Sequence, residues 1–448
     1  MADLMADELH GSLADPALTS MNFLNEIAHR FPDAISFAAG RPYEEHFDTD
    51  VLPRYLRLFS DHLRSDRGYT QEQVRRTLLQ YGRTKGIVHD LVAANLLADE
   101  GIEVDPESIV VTVGCQEAMF LVLRALRASE KDVLLAISPV YVGLTGAAKL
   151  VDLPVRPVRS GPDGIDLDDL VTQIHRAREV GLRPRACYVM PDFANPSGAT
   201  LDHLRRRRLL AIAEEENILL LEDNPYGIFN GDAERLPTLK ALDTRRKVVY
   251  LGSFAKTGLP GARVGYVVAD QRVSSQDGAT DRLFADELAK IKSMVTVNTS
   301  PVAQAVIAGK LIENQFSLIE ANAREREAYR RNLRLIDTGL RTRLQLQMHQ
   351  GISWNKPGGG FFVVVTLPFA ADDALLERSA RDFGVLWTPM HHFYASSGGE
   401  NQLRLSISAL TADLVETGLD RLAALLADAV GGDQDPAHAK RYDEKRNA

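Results

Sequence analysis

The stretch Ser253-Phe254-Ala255-Lys256-Thr257-Gly258-Leu259-Pro260-Gly261-Ala262-Arg263-Val264-Gly265-Tyr266 sets one lysine between an apolar run, Val248 to Gly252, and a glycine- and proline-rich turn. A hydroxyl stands three residues before that lysine and a guanidinium seven after it. A lysine held at a strand end can lose its water, which lowers its pKa and frees the amine to form a Schiff base with an aldehyde. Ser253 and Arg263 supply donors for a doubly charged phosphate, Arg263 through its planar fork. The chemistry implied is covalent capture of a small cofactor that carries both an aldehyde and a phosphate.

Other segments hold residues of matching chemistry. Gly114-Cys115-Gln116-Glu117 opens a helix carrying Met119, Leu121, Val122 and Leu126, and a helix start offers free N–H groups and a positive dipole end to a phosphate. Asp223 lies just past the apolar run Ile218 to Leu221; a carboxylate there can face a cofactor ring nitrogen, although an isolated aspartate at a strand end also serves as a helix cap or turn former. Arg404 alternates with Leu403, Leu405 and Ile407, so it points to the opposite face of a strand, where a guanidinium can clamp a carboxylate.

These residues need a scaffold that brings them together. Short apolar runs rich in β-branched residues recur at Ile109 to Val113, Val133 to Ile137, Ala186 to Met190, Ile218 to Leu221, Val248 to Leu251 and Val264 to Val268, separated by helical stretches. Runs apolar on both faces and alternating with amphipathic helices predict an α/β fold with a mostly parallel sheet covered on both sides. Ligands of such open sheets bind at the carboxyl ends of the strands, and Gly114, Asn195, Asp223 and Ser253 to Lys256 all follow strands. After about Pro301 the pattern changes. A charged helix (Glu320 to Arg343) precedes three alternating, half-buried strands (Phe361 to Thr366, Gly384 to Thr388, Gln402 to Ser408) and a helix (Thr411 to Ala429), which predicts a smaller α+β domain. The expected division is an N-terminal arm over 1–21, a small domain from 22–49 and 310–430, a large domain over 50–309, and a polar, mobile tail over 431–448.

Taken together, the lysine string, Asn195-Pro196-Ser197-Gly198 and Asp223-Asn224-Pro225-Tyr226 closely resemble the motifs of fold-type I pyridoxal-phosphate enzymes of the class I/II aminotransferase group. The resemblance spans about Asn22 to Asp428 and is nearest to kynurenine/2-aminoadipate aminotransferases. It implies a seven-stranded, mostly parallel sheet in the large domain and pyridoxal 5′-phosphate on Lys256, with Asp223 at the pyridine nitrogen and Asn195 and Tyr226 at the phenolic oxygen. It also implies Tyr141 stacked on the ring, and Gly114, Cys115, Gln116, Ser253 and Arg263 at the phosphate. Cys115 stands where the family often has serine. Arg404 and the backbone of Gly40 would take the substrate carboxylate. Tyr81, in Leu79-Gln80-Tyr81-Gly82, matches a tyrosine that reaches the neighbouring subunit's phosphate, which implies a homodimer with shared active sites.

The pattern departs from the family at two places. Arg41 replaces a commonly apolar residue, and Pro389-Met390-His391-His392-Phe393 occupies a usual Pro-Gly-x-x-Phe. Arg41, His391 and His392 therefore suggest a substrate with further anionic or polar parts. The reaction expected is transfer of an amino group from an α-amino acid to a 2-oxo acid. The alternative is a specialised biosynthetic enzyme that spends the same carbanion chemistry on γ-elimination or carbon–carbon bond formation. Aminotransferase-like domains also act as sensors in transcription regulators, but those carry a basic winged-helix domain ahead of the match.

The bulk composition narrows the field further. A chain of 448 residues, 45% apolar and 25% charged, is an ordinary globular composition with room for two domains. A formal charge of −9 argues against a general partner of nucleic acid or anionic membranes. The two cysteines, Cys115 and Cys187, form no CxxC pair or metal-ligand spacing, so neither a disulfide framework nor a metal site is expected. An acidic N-terminus without a signal-peptide pattern, and the lack of a long apolar run, suggest a cytoplasmic protein.

Overall fold

A computed structural model describes residues 4–15, 18, 26–161, 164–232, 234–275, 281–395 and 397–432; the expected tail from 433 onward lies outside them. An eight-stranded sheet has the spatial order Ile109–Thr112, Gly265–Val268, Val248–Ser253, Leu219–Asp223, Arg183–Val189, Asp132–Ser138, Val155–Gly161 and Gly164–Ile165. The last is a two-residue antiparallel addition at one edge, beyond the seven strands expected. Four successive pairings, from Val248–Ser253 across to Val155–Gly161, are parallel, while Gly265–Val268 runs antiparallel to both its neighbours.

The apolar runs explain this arrangement. Ile109–Thr112 and Gly265–Val268 are buried along their whole length, as strands covered by helices on both faces must be. Val155–Gly161 escaped the sequence reading because, near the sheet edge, only Val158 is fully buried, while Pro157 and the run from Arg159 to Gly161 are exposed. In Leu219–Asp223 the two adjacent carboxylates point to opposite faces. Glu222 turns to a helix start and accepts from the N–H groups of Leu239 (2.8 Å) and Lys240 (2.7 Å). Asp223 turns towards Cys115 and Tyr188.

Because Gly265–Val268 is antiparallel, its beginning lies on the same rim as the carboxyl ends of its neighbours. Arg263, just before it, therefore meets Gly114 at the helix start that follows Ile109–Thr112.

The later part of the chain forms a four-stranded antiparallel sheet in the order Ser353–Trp354, Phe362–Thr366, Gln402–Ser406, Thr388–Pro389. The run expected over Gly384 to Thr388 splits. Val385–Leu386 leaves to pair in parallel with Ile35–Ser36, which ties the early segment to the late one. Helices Ala323–Arg343 and Ala412–Gly432 cover this sheet. Helix Pro301–Glu313 packs instead on Val51–Ser65, close enough that a Cβ at Gly309 would lie 2.3 Å from the Tyr55 carbonyl oxygen. Among the described residues, no helix is long and apolar enough to cross a membrane.

Candidate active site

The strand Val248–Ser253 delivers Lys256 to the rim, where its Nζ donates to the Gly40 carbonyl oxygen at 2.6 Å. Burial, reinforced by the positive charges of Arg263 and Arg404 and opposed by Asp223, brings the amine down to about 8. A nucleophilic amine is thus available near neutral pH. The hydroxyl of Ser253 accepts from the Ala255 N–H at 3.2 Å, so the serine shapes the turn that carries the lysine.

Asp223 is the hub of the buried side. Tyr188 donates its hydroxyl proton to Asp223 Oδ2 at 2.6 Å, and the Cys115 thiol lies 3.6 Å from Oδ1. Burial raises the carboxyl to about 6, held back by those two donors and by Lys256. Burial, together with the Asp223 charge, keeps the Cys115 thiol protonated well above its usual range, so it serves as a donor here. Tyr188 carried no motif that sequence reasoning could flag; it is an aromatic residue inside the apolar run Ala186 to Met190, indistinguishable there from core.

Gly114 has φ +71°, and a Cβ built on it would stand 2.4 Å from Arg263 Nη2. Only glycine lets the guanidinium lie against this helix start. Arg263 itself adopts a left-handed conformation and is exposed at the rim. Gln116 is also exposed and donates from Nε2 to the Gly143 carbonyl oxygen at 2.6 Å. Tyr141 directly precedes the next helix, Val142–Leu150, and burial raises its hydroxyl to about 12.

Arg404 is buried in its strand with its guanidinium between two rings, 4.3 Å from the Phe362 centroid and 4.9 Å from that of Phe393. It donates to Asn195 Oδ1, to the Ala38 carbonyl oxygen at 3.0 Å and to Thr388 Oγ1 at 3.2 Å. Its Nε is buried without a hydrogen-bond partner among the described residues. Burial lowers the guanidinium to about 10. Tyr226, also buried, packs edge-on against Phe362, and burial raises its hydroxyl. Phe362, Phe393 and Thr388 were not singled out from sequence, because a wall residue of a charged side chain has the same composition as core.

The remaining expected residues sit further out. A Cβ on Gly40 would collide with the Phe362 ring at 2.7 Å, which leaves its backbone free to approach Lys256. Arg41 is exposed, and its carbonyl oxygen accepts from the Ser408 hydroxyl at 2.7 Å. His391 and His392 turn their Nε2 atoms to Asp373 Oδ1, at 3.7 and 2.8 Å. Tyr81 is 85% exposed.

The set fits an aldehyde-bearing phosphate cofactor. A lowered lysine amine, a buried carboxylate held by two donors and a glycine helix start against an arginine occupy one rim, and a buried guanidinium nitrogen without a partner lies beside them.

Comparison with known proteins agrees. The family model for aminotransferase class I and II matches residues 34–422. The chain is 60% identical over 427 residues, covering 94% of each chain, to (S)-3,5-dihydroxyphenylglycine transaminase of Amycolatopsis orientalis. It is 30% identical to 2-aminoadipate transaminase of Thermus thermophilus, over 88% of this chain and 90% of that one. Among solved structures, Pyrococcus horikoshii kynurenine aminotransferase, determined in complex with PMP, superposes with a TM-score of 0.76 at 26% identity, covering 91% of this chain and 94% of that one. The protein belongs to the class I and II aminotransferases of fold-type I, and its cofactor is pyridoxal 5′-phosphate.

Proposed function

We propose that this aminotransferase acts on an α-amino acid whose Cα bears a hydroxylated aromatic ring, the class of 3,5-dihydroxyphenylglycine, in exchange with a 2-oxo acid. The substrate class rests on 60% identity that runs through 94% of both chains. The carboxylate end rests on one observation above the others, the buried Arg404 Nε that has no hydrogen-bond partner among the described residues. A buried donor left unmade costs about 1–3 kcal/mol, so the site gains when an anion arrives.

When bound, pyridoxal phosphate supplies an electron sink for the carbanion at Cα. Lys256 would hold the cofactor's aldehyde carbon and, once the substrate's amine has displaced it there, its freed amine would move the proton at the substrate Cα, as base and as acid. Asp223, kept in place by Tyr188 and Cys115, holds a proton on the ring nitrogen. Asn195 and Tyr226 serve the phenolic oxygen, Tyr141 the ring face, and Gly114, Cys115, Gln116, Ser253 and Arg263 the phosphate. Arg404 and the Gly40 backbone orient the substrate carboxylate, and the ring walls Phe362 and Phe393 keep water from the guanidinium.

The working unit in this reading is a homodimer in which Tyr81 completes the partner's phosphate site. Leu79, Tyr81, Met294, Val295 and Val297 are all exposed. Gly82 lies beside Asn298 and Pro301, which places the two stretches together. Such a patch favours a partner over water. The division into 50–309 and a small domain of 22–49 with 310–430 belongs to the same reading, since Arg404 lies on the later sheet and Lys256 on the large one.

The test is a panel of amino donors mixed with the cofactor-loaded enzyme without acceptor, followed by absorption. Hydroxylated phenylglycines are expected to convert the cofactor to its amine form fastest. Rapid conversion by alkyl or acidic amino acids, with none by phenylglycines, overturns the substrate assignment.

A further inference from the structure

We propose that Asp373, His391 and His392 form a divalent-metal site, with zinc as the best-matched ion, beside the carboxylate clamp. The segment Met390–Phe393 is a short 3₁₀ turn, in which residues three apart eclipse. Met390 and Phe393 are accordingly both buried, facing the apolar cluster with Val142 and Val364. The two histidines between them fall on the outer side. Neighbours in a 3₁₀ turn diverge by about 120°, since it has 3.0 residues per turn. Here the two imidazoles instead lie face by face, with centroids 4.1 Å apart and planes 37° apart, and both bring Nε2 to one oxygen of Asp373.

That oxygen satisfies only one of them. His392 Nε2 is within hydrogen-bond distance at 2.8 Å, whereas His391 Nε2 at 3.7 Å is beyond it. One donor atom from each of the three residues lies within 4.8 Å of the others. A tetrahedral zinc with bonds of about 2.0–2.1 Å sets its ligand atoms roughly 3.4 Å apart, inside the spread these atoms already span. Two imidazoles and a carboxylate form a ligand set suited to zinc, and a fourth position is left for water. Access exists, because the side chains of Asp373 and His391 are 46% and 31% exposed.

The site would join two elements of the small sheet's rim. Asp373 begins helix Asp373–Arg378, and His392 is followed directly by Phe393, whose ring stacks on Arg404. A bound ion would fasten that wall of the clamp to the helix. No step of amino transfer passes through it.

The experiment uses the full-length, cofactor-loaded enzyme freed of metals by a chelator and titrated with zinc chloride, with bound zinc measured by elemental analysis after dialysis. Cobalt(II) serves as a second probe, read by its ligand-field absorption. One zinc per chain is expected, with affinity reduced at least ~10-fold in Asp373→Asn and in His391→Ala. His349→Ala, outside the cluster, should bind as the parent does. Asp373→Asn keeps the side-chain shape, so a folded variant with an unchanged cofactor spectrum and a lost cobalt band supports the site. Zinc binding equal in parent and Asp373→Asn, or no zinc retained by the parent, overturns it.

Discussion

The rim of the large sheet and an inner strand of the small sheet solve the same problem, holding a charged side chain out of water, in different ways. On the large sheet, Asp223 is held by a phenol and a thiol that both donate to it. On the small sheet, Arg404 lies between two phenyl rings, with three internal acceptors and one nitrogen left over. The first arrangement holds an acceptor in place with two internal donors and leaves lone pairs for the ring nitrogen of a resident group. The second leaves a buried donor unmade and suits a ligand that comes and goes.

The contrast breaks most completely at Lys256. Lys256→Ala should remove the cofactor–lysine absorption band and lower turnover by at least ~10⁴-fold, since one side chain does both covalent and proton-transfer work. An unchanged spectrum would exclude the assigned role. Arg404→Leu comes next. Losing charge-assisted hydrogen bonds worth about 1.5–3 kcal/mol should raise KM for the amino donor about 10–100-fold while the cofactor spectrum persists. Steady-state kinetics and absorption on one preparation separate the two regions, and loss of both signals together would show them to be one unit.

The pH dependence sharpens the comparison. In the cofactor-free enzyme the Lys256 amine loses its proton near 8, below its ordinary value. Cofactor uptake, followed by absorption, should therefore accelerate as pH rises towards 8 and level off above it. The folded amine releases its proton before the unfolded one does, so between about 8 and 10.4 the unfolded chain binds more protons, and this group's contribution to stability rises with pH. A flat uptake profile from pH 6.5 to 9 would contradict the lowered amine.

Tyr188→Phe removes one donor from Asp223 and should push its carboxyl above about 6. Cofactor affinity, by equilibrium dialysis, should fall about 3–10-fold, in line with a hydrogen bond to a charged group. Unaltered affinity would leave Cys115 as the sole support. The smallest effect belongs to Phe393→Leu. A lost cation–π contact of about 0.5–1 kcal/mol should raise KM for the donor only a few-fold, with kcat unchanged.

Much of the cofactor rim was legible before any fold was known. Lys256, Asp223, Asn195 and Gly114 sit directly after apolar runs, and a strand's end is written locally by its β-branched residues and the turn that follows. Tyr188 was not legible, because its polar atom acts across to the neighbouring strand, where register alone sets Tyr188 opposite Leu221 and so beside Asp223. Val155–Gly161 was hidden for a related reason, since a strand next to the edge, covered on its outer side by only two residues, is wet along much of its length and loses the apolar signature.

The amino-acid order by itself marked Lys256 as the candidate lysine and determined the alternation of strands and helices and the family to which the chain belongs, because each is carried by short local motifs and runs. The tertiary structure alone decided that Phe362 and Phe393 enclose Arg404, that Asp223 is held by Tyr188 and Cys115, and that His391 and His392 converge on Asp373. Those contacts join segments far apart in the chain, and the strength of a charge in such a place depends on who surrounds it and how little water is left, which no single stretch of sequence specifies.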